Sequence, residues 1–158
     1  MKTAERRRIL IIDDQESIRK SLKLALEREG YLVDTTENGR EAIRKSKRRL
    51  YNVALVDLRL PDMDGIELLT KMRETVPKMV KIIITGYPSL ENAIEAVNRG
   101  ADGYVVKPYT MEGLLRKIKE HLQKQQEAKK YSEEKVKEFV ETCAEEYESR
   151  TSAKRSLK

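Results

Sequence analysis

The chain has 158 residues, 39% of them hydrophobic and 38% charged, a length that suits one domain with a short appendage. No stretch of about 18 apolar residues occurs, which excludes an ordinary membrane-spanning helix. The single cysteine, Cys143, excludes an internal disulfide. The apolar segment after Arg6, Arg7 and Arg8 is too short for the core of a signal peptide. We therefore expect a cytoplasmic protein.

The formal net charge of +6 comes from 33 basic and 27 acidic residues. The segment from Gln126 to the end contains eight of each, so the surplus belongs to the preceding part of the chain. A basic surface of this kind suits a nucleic acid or an acidic partner, or it is simply a solvated helix face. The solvated face is the simpler interpretation, and the sequence leaves both open.

Strand-like and helix-like segments alternate five times before residue 124. The predicted strands are 8–13, 31–36, 53–57, 80–85 and 103–107, and the predicted helices are 16–29, 38–50, 64–74, 89–99 and a long one from 110. The predicted N-caps are Asn38, Asp64, Ser89 and Thr110, and the predicted C-terminal stops are Gly30 and Gly100. This alternation predicts right-handed βαβ units in a doubly wound, five-stranded parallel sheet. A strand order of 2-1-3-4-5 places its switch point between strands 1 and 3.

Acidic residues end the two strands that flank this switch point. Asp13 and Asp14 follow the first strand, and Asp57 ends the third. Clustered carboxylates repel one another unless a cation lies among them. With only oxygen ligands and no nearby His or Cys, the expected ion is Mg²⁺.

The fourth and fifth strands bring a hydroxyl and an ammonium group to the same edge. Thr85 ends the fourth strand, and Lys107 ends the fifth. Taken singly, each residue has a simpler explanation, since Asp13 and Asp14 could only cap a helix and a lone Thr or Lys is usually a surface residue. Together, a carboxylate nucleophile, a metal, a hydroxyl and a lysine indicate a phosphoryl-transfer site.

The residues around these positions resemble the receiver domain of two-component response regulators. The matching motifs are Ile11-Ile12-Asp13-Asp14, Val56-Asp57-Leu58-Arg59-Leu60-Pro61-Asp62-Met63-Asp64-Gly65, Ile84-Thr85-Gly86-Tyr87 and Gly100-Ala101-Asp102-Gly103-Tyr104-Val105-Val106-Lys107-Pro108. The resemblance covers roughly residues 7–123 and implies a flavodoxin-like fold.

By this resemblance, Asp57 accepts a phosphoryl group from a histidine kinase, and the protein catalyses only its own phosphorylation and dephosphorylation. Asp13, Asp14, Asp57 and the backbone carbonyl of Arg59 would bind Mg²⁺. Thr85 and Lys107 would bind phosphoryl oxygens, and the bond between Lys107 and Pro108 should be cis. Tyr104 matches the switch aromatic that turns inward when Thr85 moves toward the phosphate, which would change the face formed by the fourth helix, fifth strand and fifth helix.

Two positions beside the expected phosphate carry bulky side chains. Arg59 lies two residues after the acceptor, and Tyr87 lies two residues after Thr85. An acid or amide at such a position could orient a hydrolytic water, whereas these two side chains are not suited to that role. We therefore expect slow loss of the phosphoryl group.

The sequence divides into a receiver domain at 1–125 and a charged helical tail at 126–158. Ser132 is a candidate cap for a separate helix whose apolar residues follow helical spacing, namely Val136, Phe139, Val140, Cys143 and Tyr147. Residues 149–158 are expected to be disordered.

Three outputs remain open for this tail. The first is a stand-alone receiver that docks an output protein or a second copy, through the helix 4, strand 5 and helix 5 face or through the tail. The second is a receiver cut from a longer DNA-binding transcription regulator, and the third, the least favoured, is direct nucleic-acid binding. A haloacid-dehalogenase-like phosphatase is disfavoured because its nucleophile belongs on the first strand in an Asp-x-Asp arrangement, which is missing here. No membrane partner is expected.

Overall fold

The structure, a computed structural model, describes residues 6–156, with side chains described as far as residue 153. The strands in this range are β1 (Arg8–Ile12), β2 (Leu32–Thr36), β3 (Val53–Asp57), β4 (Val80–Thr85) and β5 (Gly103–Val106). The helices are α1 (Glu16–Arg28), α2 (Gly39–Arg48), α3 (Gly65–Leu69), α4 (Leu90–Asn98) and α5 (Met111–Ser156). All neighbouring strands pair in parallel in the order β2-β1-β3-β4-β5, which confirms the predicted fold.

Packing divides the chain into two units, one ending at Gln123 and the other beginning at Lys124. In the first unit, β1, β3 and β4 are buried on both faces, as expected for central strands of a parallel sheet. Alternate residues enter two separate cores: Ile12 and Val56 pack on one face, and Ile11 and Leu55 pack on the other. The predicted domain boundary between residues 125 and 126 stays a prediction.

The structure contains the predicted caps at Asn38, Ser89 and Thr110 and the predicted glycine stops after α1 and α4. The side chains of Asn38 and Ser89 accept hydrogen bonds from the backbone of Glu41 and Asn92, at 2.8 and 3.0 Å. Thr110 Oγ1 accepts from a backbone N–H three residues later. After α1 and α4 the chain reverses through Gly30 and Gly100, whose φ angles of 96° and 97° suit glycine.

Helix α3 is shorter than predicted, because tertiary contacts end it early. It stops at Leu69, whose carbonyl accepts a 2.6 Å hydrogen bond from the buried ammonium of Lys81. The backbone N–H of Arg73 then donates to Ser46 Oγ on α2 at 3.3 Å instead of continuing the helix. The predicted extension to Glu74 was therefore wrong. Asp64 does cap α3, accepting from the N–H of Ile66 at 2.8 Å.

Helix α2 is also shorter than its predicted range of 38–50. Ala42 is fully buried, but Leu50 lies beyond the end of α2 at Arg48 and is 55% exposed. Ser46 is buried in its place, where its hydroxyl donates to the carbonyl of Ile43 and so satisfies its polar atom.

The tail belongs to a single helix, so the predicted start at Ser132 was wrong. Helix α5 runs without a break from Met111 to Ser156. It also includes residues 149–156, where disorder was predicted; residues 157–158 lie outside the described range. No Pro interrupts this part of the chain, and extending an existing helix costs far less than nucleating a new one. No helix within residues 6–156 is both long and apolar enough to cross a membrane.

Candidate functional site

Three carboxylates meet at the carboxyl edge of the sheet. Asp13 and Asp14 follow β1, and Asp57 is the last residue of the adjacent strand β3. One oxygen atom from each carboxylate lies within 4.8 Å of the others. Asp13 is buried, Asp57 is half-buried and Asp14 is exposed, so the cluster is open to solvent on one side. Parallel strands end at the same edge, which is why residues 43 positions apart in the chain come together here.

The start of α1 fixes the geometry of Asp13. Its Oδ1 accepts from the backbone N–H of Gln15 at 2.9 Å. The guanidinium of Arg19 on α1 donates to the backbone carbonyl of Asp13 at 2.8 Å. Both contacts leave Oδ2 of Asp13 directed toward a cation, the Lys107 ammonium, 3.6 Å away.

Lys107 reaches the carboxylates from the end of β5. Its backbone N–H donates to the carbonyl of Thr85 at 2.8 Å, which holds the two strand ends together. Its Nζ lies 3.9 Å from Asp57 Oδ2 as well as near Asp13. The bond between Lys107 and Pro108 is cis, as the resemblance implied.

The electrostatic environment of Asp57 disfavours its charged form. Burial raises the pKa of Asp57 above its ordinary value, the charge of Asp13 raises it further, and Lys107 opposes both effects. The backbone N–H of Arg59 donates to Oδ1 of Asp57 at 3.4 Å, a long and weak contact. One lysine therefore does not fully compensate the clustered carboxylates, which leaves the site suited to an additional cation.

Thr85 ends β4 at this edge of the sheet, and Tyr104 lies within the neighbouring strand β5. Thr85 is fully buried, and its Oγ1 accepts from the backbone N–H of Tyr87 at 2.9 Å. Tyr104 lies on β5 beside Ile83 and packs against the core on the α2, α3 and α4 side of the sheet. Among the described residues, the hydroxyl of Tyr104 is the buried side-chain oxygen without a hydrogen-bond partner.

The two bulky residues singled out in the sequence are in contact. The guanidinium carbon of Arg59 lies 3.6 Å from the centre of the Tyr87 ring, a close cation–π pair. Arg59 belongs to the loop after β3, and Tyr87 to the loop after β4. The pair therefore joins the loops that follow the acceptor Asp57 and the hydroxyl of Thr85.

The loop between β3 and α3 contains a contact that sequence reasoning missed. Both carboxylate oxygens of Asp62 accept hydrogen bonds from backbone N–H groups at the start of α2, those of Gly39 at 2.8 Å and Arg40 at 2.9 Å. At the first residue of α3, a Cβ on Gly65 would collide with the backbone carbonyl of Asp57, so only glycine fits there. The local sequence gives no signal for the Asp62 contact, because its partners lie more than twenty residues earlier.

The parallel sheet in this strand order, with acidic groups and a lysine at one edge, is the arrangement expected of a receiver domain. The family model for the response regulator receiver domain matches residues 9–119. The chain belongs to this family.

Individual relatives support the same assignment. The chain is 38% identical over 118 residues to the transcriptional regulatory protein SrrA of Staphylococcus aureus, an alignment that covers 75% of this chain and 48% of SrrA. The chain thus spans about half the length of the curated relatives it matches. A receiver domain protein (CheY-like) from Methanospirillum hungatei is 45% identical, with a TM-score of 0.75 over 78% of this chain and 99% of that one.

One similar structure contains a modified aspartate. It is a response regulator from Burkholderia pseudomallei with a phosphorylated aspartic acid, a calcium ion and citrate. It is 30% identical to this chain, with a TM-score of 0.66, and the match covers 77% of this chain and 72% of that one.

Proposed function

We propose that the chain is the phosphoacceptor of a two-component system, taking a phosphoryl group from a sensor histidine kinase onto Asp57. The observation that supports this most directly is the juxtaposition of Asp13, Asp14 and Asp57 with the Lys107 ammonium at one edge of the sheet. A similar response regulator carries a phosphorylated aspartic acid. No turnover of a separate substrate is proposed.

The acidic cluster fits Mg²⁺. The ion favours oxygen ligands, keeps several waters, and commonly combines one or two carboxylates with a phosphate. Asp13, Asp14, Asp57 and the backbone carbonyl of Arg59 would hold it. When bound, the ion would neutralise charge on the phosphoryl oxygens. The raised pKa of Asp57, caused by burial and by Asp13, supports this assignment, because a bound cation would favour the ionised form that acts as the nucleophile.

The protein groups have distinct tasks in the transfer. A carboxylate oxygen of Asp57 forms a bond to phosphorus while the phosphorus–nitrogen bond of the phosphohistidine breaks, and the electron pair leaves with the imidazole. Lys107, 3.9 Å from Asp57 Oδ2, would stabilise the charge spread over the phosphoryl oxygens. The Thr85 hydroxyl would donate its hydrogen to one of these oxygens.

The added charge would bias a two-state element in this unit. Phosphorylation adds about two negative charges at the sheet edge. Thr85 would move toward them, and Tyr104, whose hydroxyl is already buried without a partner, would be held inward. The altered surface comprises α4, β5 and α5, and an output protein or a second copy would bind there or on the tail.

The decisive test is loss of labelling in Asp57→Asn. Incubation with acetyl phosphate and Mg²⁺ should add one phosphoryl mass to the wild type and none to the variant, as measured by intact-protein mass spectrometry. Glu112→Gln, which removes a carboxylate that is 87% exposed on α5, should be labelled like the wild type. Full labelling of Asp57→Asn would show that another residue is the acceptor.

A second candidate, a receiver that is part of a longer transcription regulator, is favoured by one observation. SrrA is a transcriptional regulatory protein about twice as long as its alignment with this chain.

The other candidate is a stand-alone receiver that binds a second copy or a separate output protein. Sedimentation with and without beryllofluoride and Mg²⁺ tests whether this chain binds a second copy. A dimer that forms only on activation and disappears when residues 126–158 are removed would assign self-association to the tail. A monomer in every condition would favour a separate output partner.

A further inference from the structure

Asp62 joins the acceptor loop to a helix that lies elsewhere in the sequence. The acceptor loop is defined here as residues 58–64, between Asp57 and α3. Asp62 uses both oxygens, one on the N–H of Gly39 at 2.8 Å and one on the N–H of Arg40 at 2.9 Å. These are the first two amides of α2, which are exposed donors in any helix unless a partner satisfies them. The carboxylate is exposed, yet both of its oxygens are used.

Further contacts close the loop at its base and press its tip against α2. The N–H of Gly65 donates to the carbonyl of Leu58 at 2.7 Å, and Arg59 forms an isolated antiparallel bridge with Asp64. The side chain of Met63, next to Asp62, packs against Gly39. A Cβ on Gly39 would collide with the sulfur atom of Met63. The loop is therefore fixed at two places, its base on itself and its tip on α2.

We propose that Asp62 is a positioning residue for the divalent metal, acting through the backbone of Arg59. This inference rests on the proposed function, because Arg59 contributes its carbonyl to the proposed metal site. Asp62 does not touch the metal. It holds the tip of the loop on α2 so that the Arg59 carbonyl and Asp57 keep one relative position before the metal binds.

Two side chains satisfy N–H groups at the start of α2, and of these two Asp62 is the one that belongs to the acceptor loop. The other is Asn38, the residue directly before α2, which caps the helix by accepting from the N–H of Glu41 at 2.8 Å. Burial opposes ionisation of Asp62, but the N–H groups of Gly39 and Arg40 outweigh it and lower the pKa of this carboxyl. Asp62 is therefore ionised at neutral pH, and both hydrogen bonds are charge-assisted.

The test compares two substitutions at the same helix terminus. Asp62→Ala removes the contact between α2 and the loop, whereas Asn38→Ala removes a cap of α2 without touching the loop. Mg²⁺ binding to the full chain is measured by isothermal titration calorimetry with the metal alone. The titrations are repeated at about 1 M KCl, where long-range attraction between Asp62 and the metal is screened within about 3 Å. Thermal melts confirm that each variant is folded, and Asp62→Asn replaces Asp62→Ala if the latter does not fold.

We expect Mg²⁺ to bind Asp62→Ala about tenfold more weakly at both salt concentrations, the low end of the effect of removing an outer-shell partner. Asn38→Ala should bind Mg²⁺ within about twofold of the wild type, while losing comparable thermal stability. Equal losses of metal affinity in both variants, no loss in either, or a loss that vanishes at high salt would overturn the proposal. A wild type that fails to bind millimolar Mg²⁺ would instead overturn the proposed function.

Discussion

The two units of this chain differ in the burial of their apolar residues. In the first unit the strands bury them, and Val53 and Val56 are fully buried in the sheet. In the second unit, Val136, Phe139 and Val140 follow helical spacing but are each more than half exposed. The strand residues pack against other residues of their own unit, whereas the tail residues stay exposed among the described residues of theirs. The same kind of regularity therefore specifies a fold in one place and only a surface in the other.

This difference decides how far chemistry can be inferred in each unit. Buried strands fix which residues stand at their ends, so Asp13, Asp57 and Lys107 could be assigned to one edge. The tail has no such frame, and the exposure of its apolar residues does not by itself specify what they would contact.

The sharpest way to break the comparison is one substitution made in both units. Val53→Ala should lower the free energy of unfolding by roughly 2 kcal/mol, because two buried methyl groups leave a cavity in the sheet. Val140→Ala should change it by less than about 0.5 kcal/mol, since that side chain is 62% exposed. Urea unfolding followed by circular dichroism measures both. A large cost at Val140 would mean that the tail is covered in solution, for example by a second copy.

Removing the charge of Asp57 should stabilise the metal-free protein. The pKa of Asp57 is raised above its ordinary value of 3.8, so the folded state binds its proton more tightly than the unfolded state does. This contribution is complete below the unfolded pKa and is lost as pH rises through the folded pKa. In EDTA at pH 7, Asp57→Asn should therefore be more stable than the wild type.

The pH and metal dependence provide the control for that measurement. The difference between Asp57→Asn and the wild type should shrink as pH falls toward 3.8, where Asp57 becomes protonated in both states. Saturating Mg²⁺ should stabilise the wild type and leave the variant nearly unchanged. A variant that is less stable than the wild type at pH 7 in EDTA would contradict the electrostatic account of the cluster.

Among the described residues, the first unit contains one cation–π pair and the second unit another, and only the first pair should affect the phosphoryl group. Arg59 lies 3.6 Å from the Tyr87 ring beside the site, whereas Lys135 lies 5.2 Å from the Phe139 ring in the tail. Arg59→Asn removes a stacked pair and adds an amide able to orient water. We expect the lifetime of the Asp57 phosphate to fall about two- to fivefold. This factor corresponds to the interaction energy of an exposed cation–π pair, about 0.5–1 kcal/mol. Lys135→Asn should leave the lifetime, followed by mass spectrometry, unchanged; equal lifetimes in all three proteins would remove Arg59 from the account.

What the sequence predicted correctly depended on local or periodic signals. The five strands, the caps at Asn38 and Ser89, and the stops at Gly30 and Gly100 all follow from side-chain chemistry within a few residues. The convergence of acidic groups on Lys107 followed from strand order, because parallel strands present their carboxyl ends at one edge.

What the sequence did not reveal depended on contacts between distant residues. Helix α3 ends early because Lys81 and Ser46, from other elements, take its hydrogen bonds. Asp62 finds its partners on α2, more than twenty residues earlier. Ser132 resembles a cap in sequence but lies inside a helix that was already propagating. Each of these outcomes is set by tertiary geometry that local propensity does not contain.

Two serines test this last distinction with the smallest expected effect. Ser89 Oγ accepts from the N–H of Asn92 at 3.0 Å and so satisfies an otherwise free donor at the start of α4. Ser89→Ala should therefore cost about 0.5 kcal/mol, the low end for a cap because this site is exposed. Ser132 lies in the interior of α5, where alanine is a better helix former than serine. Ser132→Ala should therefore be neutral or should raise the free energy of unfolding by about 0.3 kcal/mol. Urea unfolding of the pair, with far-ultraviolet helicity as a second readout, measures both. If Ser132→Ala lost helicity while Ser89→Ala did not, a separate helix would begin at Ser132 in solution, and the tail would have to be treated as an independent element joined to the receiver by a flexible segment.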